Sequence, residues 1–123
     1  RSISLFEELG APPPASAHSA DLLAALVNLL INAVDAVDDG GRIVIRTGAS
    51  DDAVWVAVED DGVGMPPDVV ARAHEPYFTT KGEAGTGLGL AMVHAAVARD
   101  AGTMDIRSAV GAGTTVTLRF PRA

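Results

Sequence analysis

Residues 26–36 read Leu26-Val27-Asn28-Leu29-Leu30-Ile31-Asn32-Ala33-Val34-Asp35-Ala36. At about 100° per residue, Asp21, Asn28, Asn32 and Asp35 fall within an arc of roughly 60°, with Leu22, Leu23, Leu26, Leu29, Leu30, Ala33, Val34 and Val37 on the opposite side. The spacing predicts an amphipathic helix, capped by Ser19 or Asp21 and running to about Val37, with its leucine-rich face buried. The other face would carry amides and carboxylates where a surface helix usually carries Lys, Glu and Arg. Carboxamide oxygen suits magnesium, a hard cation that keeps several waters and takes one or two protein oxygens plus substrate phosphates. Asparagine also adds no negative charge beside a polyphosphate. Taken alone, the Asn28 and Asn32 pair also reads as a solvated polar stripe, or as hydrogen-bonding partners of a neighbouring strand.

Around this helix the chain alternates strands, turns and further helices. Residues 1–9 fit either a short strand or a helical turn, and residues 10–17, with Pro12-Pro13-Pro14, form a loop. Asp38-Asp39-Gly40-Gly41 ends the first helix, and Arg42 to Thr47 and Ala53 to Glu59 pair as strands through Ser50-Asp51-Asp52. Pro66 and Pro67 open a short helix to about Ala73. His74 to Thr86 lacks periodicity and reads as a mobile loop; Leu88, Ala91, Met92, Ala95 and Ala96 then mark a helix over 87–99. Met104 to Ser108 and Thr114 to Phe120 are the last strands, joined through Val110-Gly111-Ala112-Gly113. This order predicts an α+β, two-layer sandwich with helices on one face of a mixed, largely antiparallel sheet.

At 123 residues the chain is one domain, read as a leading segment, 1–18, and a folded unit, 19–123. Hydrophobic residues make up 48% and aromatics only 4%, so Ala, Val and Leu must fill the core. The net charge of −7 argues against a nucleic-acid surface, but not against a nucleotide held by local amides, a lysine and a metal. Without cysteine there are no disulfides or thiolate metal sites. No apolar run reaches the roughly 20 residues that span a bilayer, and no signal peptide is apparent. A chain that opens on Arg1 reads as an excised or processed piece of something longer.

Two glycine-rich segments follow the helix. Asp60-Asp61-Gly62-Val63-Gly64 comes after a predicted strand. A carboxylate there can accept a hydrogen bond from an exocyclic amine such as that of adenine, and the glycines let the backbone turn beneath a planar base; an acidic hairpin turn is the plainer alternative. Gly85-Thr86-Gly87-Leu88-Gly89-Leu90 precedes a helix, where backbone amides and the helix dipole favour an anion. It is not a dinucleotide fingerprint, because Leu90 stands where the third glycine would be and no strand precedes it. It is not a P-loop either, since no Gly-Lys-Ser/Thr is present.

The order and separation of these motifs resemble the catalytic, ATP-binding domain of sensor histidine kinases, a member of the superfamily shared with DNA gyrase, the large heat-shock chaperones and the MutL-type repair proteins. Asn28 to Ala36 looks like the N box, Asp60 to Gly64 like the G1 box, Glu75-Pro76-Tyr77-Phe78-Thr79-Thr80-Lys81 like the F box and Gly85 to Leu90 like the G2 box. Gly111-Ala112-Gly113-Thr114 and a strand ending in Phe120-Pro121 resemble the domain's usual close, so the likeness covers about residues 19 to 121. It implies a Bergerat-type ATP-binding fold with ATP and magnesium bound.

By the same resemblance, Asn32 would be the magnesium ligand and Asn28 would support the metal or its waters, with Asp35 beside them. Asp60 would bind the adenine amine, Gly62 and Gly64 would shape the base pocket, and Thr114 would approach adenine through water. Thr86, Gly87, Leu88 and Gly89 would meet the phosphates, and His74 to Gly85 would form a lid anchored by Phe78. Lys81, the one cation of that stretch, reads either as a catalytic phosphate contact or as a solvated lysine. His74 departs from the bulky apolar residue usual before Glu-Pro, and the segment before Asp21 is shorter than the usual leading strand and helix. His18, His74 and His94 have structural or surface roles rather than acceptor roles.

The implied partners are a histidine-containing dimerisation domain of the same kinase and, downstream, a response regulator. Neither nucleic acid nor direct membrane contact is expected, and the domain would be cytoplasmic whether or not its parent protein is membrane-anchored. An anti-sigma-factor-type serine kinase and a nucleotide-regulated binding module on the same fold are the alternatives.

Overall fold

The computed structural model describes residues 3–9, 19–37, 39–72 and 89–121. Strand β1 (Ile3–Leu9) is followed by helix α1 (Ser19–Ala36), strands β2 (Gly41–Ala49) and β3 (Ala53–Asp60), and the short helix α2 (Pro67–Arg72). Helix α3 (Gly89–Arg99) and strands β4 (Thr103–Ala109) and β5 (Gly113–Pro121) complete the fold. The five strands form one sheet in the order β1-β2-β3-β5-β4. Among the described strands only β1 and β2 run parallel, and the other pairs are antiparallel.

The parallel pair settles what the first residues are. Parallel neighbours need a crossover connection, usually a helix, and α1 lies between them in sequence. Seven residues of weak alternation could not announce this, because the pairing of Ile3 with Gly41 through Leu9 with Thr47 is non-local.

The helices lie on one face, and the inward residues of each strand follow the period of two expected of a half-buried sheet. Val54, Val56 and Val58 of β3 are buried, as are Val116, Leu118 and Phe120 of β5. With Ala25, Leu29, Ala33 and Val37 of α1 and Val93 and Val97 of α3, most of these make one continuous core. Its largest fully buried side chains are Ile43, Leu118, Val37, Val93 and Val97, so aliphatic packing does replace aromatics here.

Helix α1 is rotated from its expected setting. Its buried stripe is Ala25, Leu29, Ala33 and Val37, flanked by half-buried Leu26 and Leu30, an arc of roughly 140°. Val34, expected on the buried side, is 39% exposed, and Val27 and Ile31 are exposed too. The reason is that α1 packs on α3 as well as on β3 and β5, so two neighbours set the buried direction. Sequence period alone centres it on the leucines. In consequence Asn28 and Asn32 lie half-buried at one margin of the stripe, not at the centre of a solvated face. Since α1 begins at Ser19, Asp21 is its third residue and not its cap.

Candidate functional site

The inward alternation that fills the core with valine ends in a polar row at one edge of the sheet. On β3 the series Val54, Val56, Val58 continues to Asp60; on β4, Met104 and Ile106 continue to Ser108; on β5, Val116 is preceded by Thr114. Register aligns them, because Asp60 pairs with Thr114 and Thr114 with Ser108. Three hydrogen-bonding side chains therefore stand side by side across three strands, at the rim of an apolar core.

Asp60 is 7% exposed, an uncommon place for a carboxylate. Its Oδ1 accepts the Gly62 amide at 2.9 Å, and the carboxylate also takes the backbone amide of Thr114. Burial pushes its pKa above the usual carboxylate value; the Gly62 and Thr114 hydrogen bonds work against that, and nearby Asp61 and Glu59 add to it. A carboxylate so placed is short of water and of positive partners, so it is primed to accept a hydrogen bond from a ligand.

The segment 60–65 is held on both sides. Towards α1, Val63 donates its amide to the Ala36 carbonyl at 3.1 Å, and a Cβ at Gly62 would lie 2.3 Å from that same oxygen. Asp61 exchanges two bonds with Arg42: its amide donates to the Arg42 carbonyl at 3.2 Å, and its Oδ1 accepts the Arg42 amide at 2.8 Å. Towards the β4–β5 turn, Gly111 donates to the Val63 carbonyl at 2.9 Å and Met65 donates to Ser108 Oγ at 2.8 Å. Gly64, at φ +69°, brings its backbone so close to Ala109 that a Cβ would sit 1.9 Å from the carbonyl oxygen. Only glycine fits both demands.

The final turn of α1 thus abuts the Asp60 segment, and Asn32 lies one turn before Ala36 on that helix. Asn28 Nδ2 donates to the Ala24 carbonyl at 3.1 Å, which ties its amide to its own helix. Asp35 is exposed near the helix end. These are hard, mostly uncharged oxygen donors, and among the described residues no cluster of three or more His, Cys, Asp or Glu could hold a metal. Such a set fits a cation ligated largely by phosphate oxygens and water, and not a protein-caged one.

Of the residues expected at the site, the structure brings Asp60, Gly62, Gly64 and Thr114 together, with Asn32 on the adjoining helix; Gly89 is the first residue of α3. Phe78, Lys81, Thr86, Gly87 and Leu88 lie outside the described residues, as do His18 and His74. His94 is exposed on α3. The expected set missed Ser108, although a serine at an inward strand position after Met104 and Ile106 was a readable signal. A groove of about 590 Å³ reaches the same edge, at Asp60, Asp61, Ser108 and Gly113, and is otherwise lined by residues including Arg42, Arg46, Glu59, Arg107 and Thr115. By strand alternation the latter belong to the face away from the helices. Arg46 and Glu59 pair there at 3.0 Å with both side chains partly exposed, so water screens that pair.

Over residues 17–123 the chain matches the family described as histidine kinase-, DNA gyrase B-, and HSP90-like ATPase. Sensor histidine kinase ZraS of Escherichia coli (strain K12) is 40% identical over 109 residues, covering 89% of this chain and 23% of that protein. Sensor kinase CckA of Brucella abortus (strain 2308) is 42% identical over 112 residues, covering 78% of this chain and 12% of that protein. The chain therefore spans less than a quarter of either relative. Among solved structures, the mycobacterial sensor histidine kinase MprB is similar with a TM-score of 0.85 at 26% identity, over 97% of this chain and 83% of that one. Full-length ShkA in complex with AMPPNP gives 0.84 at 30% identity, over 98% of this chain and 26% of that one. The mixed sheet, the buried Asp60 and the glycine clasp around it accord with these matches, and the chain belongs to the histidine kinase-, DNA gyrase B- and HSP90-like ATPase family.

Proposed function

We propose that this chain is the ATP-binding catalytic domain of a two-component sensor histidine kinase, and that it donates the γ-phosphoryl group of ATP to a histidine on a separate dimerisation domain. The observation that carries this is Asp60, a buried carboxylate fixed in place by the backbone amides of Gly62 and Thr114, whose remaining lone pairs can accept the adenine 6-amine. Its ZraS and CckA relatives are sensor kinases, and the ShkA structure holds an ATP analogue.

Phosphoryl transfer asks a protein mainly for positioning and charge neutralisation. Gly62 and Gly64 let the backbone lie close under the base, and Thr114 contacts its edge through water. Asn32 would hold magnesium through its amide oxygen, with Asn28 supporting the metal or its waters and Asp35 at the margin. Magnesium, when bound, supplies neutralisation of the phosphate charge. Gly89 opens α3 with no acidic residue in its first turn, so its amide, with Thr86, Gly87 and Leu88, offers donors to the phosphates. Lys81 adds a cation and Phe78 anchors the lid. The domain works in the cytoplasm, where ATP and a response regulator are available; among the described residues no helix is long and apolar enough to cross a membrane.

The test is phosphotransfer from labelled ATP to the parent protein's own histidine-bearing segment. Acid-labile, base-stable label on that segment is the expected result. Acid-stable label on serine of a separate partner would establish the anti-sigma-factor-type kinase in its place, and ATP binding without any transfer would leave a binding module.

A further inference from the structure

Helix α1 carries a second apolar stripe that the core does not use. Ala24, Val27, Ile31 and Val34 are exposed, Val27 at 47% and Ile31 at 52%. They follow one another at intervals of three, four and three residues. That is the spacing of a coiled-coil seam, with Ala24 and Ile31 at its a positions and Val27 and Val34 at its d positions. At about 100° per residue the four fall within an arc of roughly 80°, on the side of the helix opposite the buried Ala25, Leu29, Ala33 and Val37. Asn28, Asn32 and Asp35 are centred about a quarter turn away, so the stripe is not a wall of the nucleotide site either. A surface helix carries charged and polar residues on such a face, whereas a narrow a/d stripe is the seam that a second helix packs against.

The charge around the stripe indicates which helix. From Ser19 to Gly41 the chain has four aspartates, Asp21, Asp35, Asp38 and Asp39, and no lysine or arginine. In the same heptad Asp21, Asn28 and Asp35 take the e positions, which flank the seam and set partner choice. We propose that the outer face of α1 docks a basic amphipathic helix from outside this chain, which packs its own a and d side chains on Ala24, Val27, Ile31 and Val34 and sets lysine or arginine against Asp21 and Asp35. A second copy of the chain is the poorer occupant. It would bring these aspartates against the same four with no cation from this stretch, and four aliphatic side chains fall far short of the roughly 800 Å² per partner that a standard interface buries. The same shortage makes the docking weak, so it suits a helix held nearby by a tether, at an effective concentration of about a millimolar.

The experiment is an NMR titration of the isotope-labelled chain with a synthetic helix of about three heptads that carries Leu and Ile at a and d and Lys at e and g. The expected dissociation constant is about 0.1–1 mM, with amide shifts concentrated from Ala24 to Asp35 and binding that weakens as salt is raised. The same peptide with Glu in place of Lys should bind at least about tenfold more weakly. The double variant Val27→Ser, Ile31→Ser removes apolar surface without changing charge, and should weaken binding of the lysine peptide at least about tenfold. Val110→Ser, at a valine that is 71% exposed in the β4–β5 turn, should leave it within about twofold. No binding of the lysine peptide, equal binding of the glutamate peptide, or unchanged binding by the double variant overturns the inference; the last would mean attraction to net charge alone. If the double variant fails to fold, the wild-type shift map decides, and shifts that lie away from α1 overturn it. A wild type that dimerises through this face in sedimentation velocity, with the dimer lost on Ile31→Ser, assigns the stripe to a second copy and overturns it too. None of these outcomes depends on ATP, so the inference stands or falls apart from the proposed function.

Discussion

Replacing Gly64 by alanine tests whether the base-binding segment is clasped as tightly as its geometry indicates. Gly64 has φ +69°, and a Cβ there would meet the Ala109 carbonyl oxygen at 1.9 Å and its carbon at 2.7 Å, far inside contact distance. The left-handed backbone alone costs a non-glycine residue roughly 1 kcal/mol. Relieving the overlap requires the segment to part from the β4–β5 turn, which breaks the Gly111–Val63 bond and the Met65–Ser108 bond. At about 1 kcal/mol each, the total comes to about 3 kcal/mol. A domain of 123 residues has an unfolding entropy of about 0.26 kcal/mol per kelvin, so the melting temperature should fall by about 12 °C. Gly111→Ala is the matched control, because φ is +79° but nothing lies within 4 Å of the added Cβ; it should cost only the backbone strain, about 4 °C. Thermal unfolding followed by circular dichroism reads both. If the two variants melt within about 2 °C of each other, the clasp is loose and the reasoning from close approach is wrong.

Other perturbations bear on the same site. Asp60→Asn keeps an acceptor for the Gly62 amide but turns a donor towards the adenine amine; ATP affinity should fall at least about thirtyfold, the loss of a charge-assisted bond worth roughly 2 kcal/mol, while thermal stability holds or rises because a desolvated charge is gone. Because burial raises the Asp60 pKa above 3.8, protons compete with ATP as pH falls through that raised value. Affinity measured from about pH 7 to about pH 4 should therefore decline before an ordinary carboxylate would titrate; affinity that stays flat would contradict the ionised role of Asp60. Unfolding shows the opposite sign, since ionising this buried carboxylate costs the folded state, and its contribution to stability shrinks as pH rises through the raised value. At the end of α3, Ala101 holds φ 59° while Gly102 donates to the Val97 carbonyl at 2.8 Å, a position that glycine usually fills. Ala101→Gly should raise stability by about 0.5–1 kcal/mol, or about 2–4 °C; a lower melting temperature would refute the strain.

The sequence made some of this plain and hid the rest for physical reasons. Asp60 was legible twice, as the head of an acidic glycine-rich segment and as the last inward position after three valines. The amide pair was legible from helical period, but period gives a face and not the neighbours that cover it. Packing against α3 rotated the buried stripe and exposed Val34. The identity of β1 depended on pairing with β2 across a whole helix, which seven residues do not encode. Ser108 looks like an ordinary strand end until register sets it opposite Thr114. The lid residues Phe78 and Lys81 and the phosphate contacts Thr86, Gly87 and Leu88 remain expectations carried by motif alone.

The central claim is that Asp60 and Asn32 form two walls of one magnesium-dependent ATP site, and calorimetric titration of the chain with ATP tests it most directly. Binding is expected to weaken on removing magnesium and on Asn32→Ala, to weaken less on Asn28→Ala, and to be nearly abolished by Asp60→Asn. ATP binding that is absent from the wild type, or that is indifferent to magnesium and to both Asn32→Ala and Asp60→Asn, would contradict it.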